Sequence, residues 1–135
     1  MYLFHQQVRV CYADTDQMGY VYYGNYARFY EIARVEALRN LGFSYKELEL
    51  SGIMMPVYDL QVRYLQPARY DDLLTIHVKV KEIPKLKMIF EYEIYNEANL
   101  LLNTGSTTLV FIKMSNNRPC MIPDELAKKL KTHFE

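Results

Sequence analysis

The sequence predicts an α+β fold in which an antiparallel five-stranded sheet curls around one long helix. Two patterns carry this expectation. Strand-type stretches gather in a single run over residues 54–115, and the breaks between them are too short for crossover helices. One long amphipathic stretch, residues 25–42, precedes that run, so the helices are segregated from the strands. One such helix is too little to cover both faces of the sheet. A partner is therefore expected on a sheet edge or face.

Residues 4–13 open the chain as a strand, with Phe4, Gln6, Val8, Val10 and Tyr12 on one face. The next segment, DTDQMGYVYYG (14–24), breaks that alternation and holds two glycines, which marks a turn or irregular loop. Over 25–42, Tyr26, Phe29, Tyr30, Ala33, Ala37, Leu38 and Leu41 follow the i, i+3, i+4, i+7 stripe of a helix. Asn25 suits its N-cap and Gly42 its left-handed end. Glu31 with Arg34, and Glu36 with Arg39, stand at pairing distance along it. Ser44 and Glu47 have the spacing of a capping box over a short helix at 44–51. Four strands then follow at 54–68, 73–83, 87–97 and 101–115, and Asn96–Asn99 reads as a hairpin turn. The tail from 123 has acidic residues early and lysines late, as a terminal helix does.

The 135 residues fit one domain, 1–135, and 50% of them are hydrophobic. Thirteen Tyr with six Phe and no Trp favour strands, interfaces and ligand clefts. Sixteen basic residues balance sixteen acidic ones, so the field of a general nucleic-acid binder is absent. No apolar run is long enough to span a membrane, and the first residues lack the pattern of a signal peptide. Cys11 and Cys120 form no CxxC pair. Free thiols, a cytoplasmic location and no metal site are expected.

The loop before the long helix holds the chemistry. It sets two carboxylates, Asp14 and Asp16, beside the first turn of a helix, where backbone N–H groups are unpaired and the dipole is positive. An oxyanion fits there. A carboxylate, amide donors and aromatic walls make an acyl-transfer site. Asp in such a loop also caps or turns the chain without further function.

The segment from Tyr12 to Arg34 resembles the signature of the 4-hydroxybenzoyl-CoA thioesterase family, including its Tol-Pal-associated acyl-CoA thioesterase branch. The matching residues are Tyr12, the Asp14-Thr15-Asp16 turn, Gly19, the Val21-Tyr22 pair, Asn25-Tyr26, Glu31 and Ala33-Arg34. Pro56 and Val57, then YLQPARYDDLL, FIKM and Pro119, agree later. The resemblance spans nearly the whole chain and implies the hotdog fold. It also implies hydrolysis of acyl-CoA, or of acyl-carrier-protein thioesters, with no cofactor beyond the coenzyme A of the substrate.

The same resemblance assigns roles. Asp16 takes the position of the catalytic carboxylate, either as the nucleophile or as the base that activates water. The backbone N–H near Tyr23 takes the oxyanion. Tyr22, Asn25, Met55, Val57 and Tyr58 are expected at the substrate. Lys85 and Lys87, with Arg63 and Arg69 as further candidates, are expected at the coenzyme A phosphates. A homodimer, or a tetramer of dimers, is implied. Asp14 is expected to order the loop. The Tol-Pal branch carries a His where this chain has Tyr23, and His5, His77 and His133 lie outside the signature. That counts against a hotdog hydroxyacyl-thioester dehydratase, which needs a His. A non-catalytic acyl-thioester-binding protein is the other alternative.

Overall fold

The structure is a computed structural model and describes residues 1–134. Five antiparallel strands, β1 (Tyr2–Arg9), β3 (Val57–Tyr64), β4 (Leu73–Val80), β5 (Lys87–Tyr95) and β6 (Leu101–Val110), form a sheet in the order β1-β4-β5-β6-β3. The long helix α1 (Tyr26–Asn40) packs on β1 and β4. Strands β4 and β5 bury every second residue, among them Ile76, Val78, Phe90 and Tyr92. Phe29, Tyr30, Ala33, Ala37 and Leu38 of α1 close the core from the other side. Each large apolar side chain so buried contributes roughly 1.5–3 kcal/mol. The helix stops short of β3, whose two faces stay largely exposed.

Local signals placed most elements. Gly42 ends the helix at φ 80, a conformation that glycine adopts without cost. The short helix α2 (Tyr45–Leu50) starts with the Ser44 hydroxyl accepting from the Glu47 N–H at 3.2 Å. The Asn96 side chain accepts the Ala98 and Leu100 amides, and Asn99 takes φ 63, which makes the expected hairpin. Helix α3 (Asp124–Lys131) docks through Leu126 and Leu130.

Four expectations need correction. The first strand ends at Arg9, because residues 12–14 wind into a 3-10 turn; Tyr12 swings out and stacks on Tyr70. Asn25 does not cap α1. A 3-10 turn over Tyr23–Asn25 precedes the helix, so Asn25 is already helical at φ −80, ψ −13 and its side chain points elsewhere. Arg34 does not pair with Glu31. It turns inward, 6% exposed, and donates to the hydroxyls of Tyr45 and Tyr92 at 2.9 and 3.1 Å. The ends of the second and last long strands peel off into a separate small sheet of β2 (Ile53–Met54), β7 (Ile112–Lys113) and β8 (Arg118–Pro119). The Glu36–Arg39 pair does form.

Candidate active site

Asp14 builds the loop that presents Asp16. One of its oxygens accepts the Cys11 N–H at 2.9 Å, and the other pairs with the Arg28 guanidinium. Its carbonyl accepts the Tyr22 N–H at 2.9 Å and the Asn25 side-chain amide at 2.8 Å. Further on, Asp16 N–H donates to Tyr20 O and Gly19 N–H to Asp16 O, a tight turn in which Gly19 takes φ 77. Val21 N–H donates to Ala68 O at 2.8 Å, which stitches the loop to the segment after β3. Asp14 is thus spent on structure, as expected for a buried carboxylate with every acceptor engaged.

Asp16 differs. It is half-buried, and its Oδ1 accepts the Met18 and Tyr20 amides at 2.9 and 3.2 Å. Those bonds fix the direction of the carboxyl group. Its second oxygen has no partner among the described residues. The side chain lines a cleft of about 370 Å³ together with Met18, Tyr20, Tyr23, Tyr26 and Tyr64. Tyr23, which lines the cleft, and Gly24 head the turn into α1, and their amides have no acceptor among the described residues. The helix dipole adds positive potential there. Gly24 is confined, since a Cβ would come 2.8 Å from the Tyr22 ring.

The walls are phenolic. Tyr64 donates its hydroxyl to Tyr23 O at 3.1 Å and meets Tyr26 edge to face, with ring centroids 5.4 Å apart. The Tyr22 and Tyr23 rings lie 4.6 Å apart and are exposed. Burial pushes the Tyr26 and Tyr64 phenols up, so both stay neutral at ordinary pH. Arg69 lies over the Tyr20 ring, 4.9 Å from its centroid, at the edge of the cleft.

The other expected substrate residues stand elsewhere on the chain. Met55 is buried just before β3, while Val57 and Tyr58 begin that strand and are exposed. Lys87 reaches over the Tyr58 ring, 5.9 Å from its centroid. Lys85 and Lys87 line a second cavity of about 520 Å³ with Ile83, Leu86 and Ile89. From Val57 to Tyr64 the strand covers about 23 Å, so one chain does not bring this group to Asp16. Arg63 borders a polar hollow with Thr104 and Ser106, away from the cleft. His5 and His77 face one another across β1 and β4, their rings stacked at 3.9 Å.

Sequence reasoning did not assign Met18, Tyr20 or Tyr64 to the site. Tyr64 opens the YLQPARYDDLL motif, and that was the available signal.

The fold and sequence of this chain are similar to those of known thioesterases. The model of the thioesterase-like superfamily matches residues 10–130. The acyl-CoA thioester hydrolase YbgC of Escherichia coli is 35% identical over 129 residues, covering 96% of this chain and 96% of that protein. The 1,4-dihydroxy-2-naphthoyl-CoA hydrolase of Thermosynechococcus vestitus is 29% identical over 127 residues, 93% of this chain and 87% of that one. A solved DHNA-CoA thioesterase from Staphylococcus aureus superposes with a TM-score of 0.89 at 35% identity, covering 100% of this chain and 97% of that chain. This chain belongs to the thioesterase-like superfamily, and its sheet and central helix form the hotdog fold of the 4-hydroxybenzoyl-CoA thioesterase kind.

Proposed function

We propose that this protein hydrolyses acyl-CoA thioesters to the free acid and coenzyme A, with Asp16 as the catalytic carboxylate. One observation carries the reading: Asp16 has an uncommitted oxygen in an aromatic cleft that it lines together with Tyr23, the residue that heads the turn into α1. The names of the relatives support the substrate class.

The thioester carbonyl enters between the carboxylate and the Tyr23 amide. An ionised Asp16 attacks the carbonyl carbon, or takes a proton from a water that attacks it, from roughly 3–3.5 Å. The carbonyl oxygen becomes an oxyanion and accepts from Tyr23 N–H. One such donor is worth about 3 kcal/mol of the barrier. The tetrahedral centre collapses and expels the thiolate. A free thiol has a pKa near 8.5, roughly that of a leaving group needing no acid. In the nucleophilic route, water then cleaves the Asp16 anhydride and restores the carboxylate. No metal or cofactor enters either route.

The second half of the site comes from a second copy. Strand β3 is the open edge of the sheet and is largely exposed, with Tyr58 73% and Tyr64 50% exposed. Antiparallel pairing of two β3 edges, centred near Leu60 and Gln61, sets Val57 of one copy opposite Tyr64 of the other. Tyr58, Lys85 and Lys87 of the second copy then approach the Asp16 cleft, and the lysines meet the coenzyme A phosphates. The assembly is such a homodimer or a tetramer of two of them. Among the described residues no helix is long and apolar enough to cross a membrane. We place the enzyme in the cytoplasm with the acyl-CoA pool.

Thiol release from a panel of acyl-CoA and acyl-carrier-protein thioesters tests the reading, with Asp16→Asn and Asp16→Ala beside the wild type. Binding without thiol release would mark a non-catalytic carrier instead.

A further inference from the structure

Behind the cleft lies a row of buried groups that the hydrolysis itself does not use. Tyr26 lines the cleft, and Tyr30 and Arg34 follow it at four-residue intervals, so the three share one face of α1 and run on from the cleft at about 6 Å per step. All three are buried. The Tyr30 ring stacks on Tyr92 of β5, with centroids 4.2 Å apart and planes 3° from parallel. Its hydroxyl bonds to Asn103 of β6. The phenol lies directly on the strand at Gly105: a Cβ there would run into its oxygen and come 2.6 Å from both its Cε2 and the Gln61 carbonyl oxygen. Any side chain at 105 would displace the ring.

Beyond Tyr30 the interior is polar. Arg34 donates to Tyr92 and Tyr45, and the Tyr92 hydroxyl lies 2.7 Å from Thr107 Oγ1. Asn103 is fully buried, and its Nδ2 has no partner among the described residues. A hydrocarbon entering here would have to replace hydrogen bonds to a buried guanidinium, which it has no means to do.

We infer that Tyr30 is the stop of the acyl pocket, so that the enzyme selects compact acyl groups over long chains. This rests on the acyl-CoA reading and names the substrate class of that same site. Tyr30 is the specificity-determining residue. Tyr92 and Gly105 are positioning residues that hold its ring across the space between helix and sheet.

The test is a length series of straight-chain acyl-CoAs, acetyl to palmitoyl, run on the full-length wild type, Tyr30→Leu and Tyr30→Phe. Circular dichroism checks that each variant is folded. The same series is read as affinity with the matching S-alkyl coenzyme A thioethers, which cannot turn over. For the wild type, kcat/KM and thioether affinity should fall at least about tenfold between butyryl and decanoyl chains. Tyr30→Leu should shrink that ratio by about tenfold. Tyr30→Phe keeps the ring and should keep the wild-type length profile. A wild type that binds palmitoyl and butyryl analogues equally well overturns the inference, as does a folded Tyr30→Leu with an unaltered ratio. A wild type that releases no thiol but still discriminates thioethers by length removes the hydrolase reading and leaves the stop at Tyr30 standing.

Discussion

The two ends of β3 are both exposed, yet they are furnished differently. At the Tyr64 end the surroundings are tied down: Tyr64 bonds Tyr23 O, Leu65 and Gln66 both donate to Leu102 O, and Ala68 donates to the Tyr26 hydroxyl. At the Val57 end β6 pairs Leu109 with Val57 and Val110 N–H donates to Pro56 O, but the side chains are loose: Lys87 of β5 rests over the exposed Tyr58 ring. A carboxylate must be held within a fraction of an ångström to act on a carbonyl. A cation that meets phosphate in solvent needs only to arrive. The rigid end suits chemistry and the loose end suits binding, and about 23 Å of strand separates them.

The sharpest way to break this comparison is to remove the group at the rigid end. Asp16→Ala should lower turnover at least about a hundredfold with melting unchanged; a folded variant that still turns over would move the chemistry away from Tyr64. Next comes the middle of the strand. Leu60→Lys places like charges near the centre of the proposed pairing. Sedimentation should show monomer, and turnover should fall at least about tenfold, the scale of a lost positioning contact. A monomer with full activity would mean that one chain suffices.

A smaller effect separates Asp14 from its neighbour. Asp14→Ala should cost about 2 kcal/mol in urea unfolding, through the orphaned Cys11 amide and the lost pair with half-exposed Arg28. Folded material should lose turnover, because Asp14 holds the loop that presents Asp16, but by less than Asp16→Ala does. The smallest effect is at the loose end, where Lys87→Ala should raise KM about threefold and leave kcat alone. Equal losses in both would put Lys87 in the chemistry.

How much of this was legible follows from distance along the chain. The stripe of α1, the left-handed Gly42, the Ser44 cap and the Asn96 turn each depend on residues within one or two turns, so the sequence displays them. The loop residues from Asp14 to Tyr22 are also local, and the family resemblance they carry singled out Asp16. Arg34 was misread because its partners, Tyr45 and Tyr92, lie 11 and 58 positions away. Helical spacing offered Glu31, and a pair of buried phenols proved stronger than an exposed ion pair. Tyr64 escaped notice for the same reason, since it meets Tyr23 across 41 positions. Asn25 failed as a cap because the extra 3-10 turn before it follows from the loop's anchorage to Asp14.

Periodicity and turn chemistry alone determined the α+β class, the order of the main elements and the pair of carboxylates before the helix, because each is encoded in neighbouring residues; the family resemblance singled out Asp16. Tertiary packing alone decided which oxygen of which Asp stays free, how Tyr30 stacks on Tyr92 and bonds Asn103, and that one chain carries the expected substrate residues at two separate ends of an exposed strand. Those outcomes depend on side chains that meet only after strands far apart in sequence have paired, and no local pattern records such meetings.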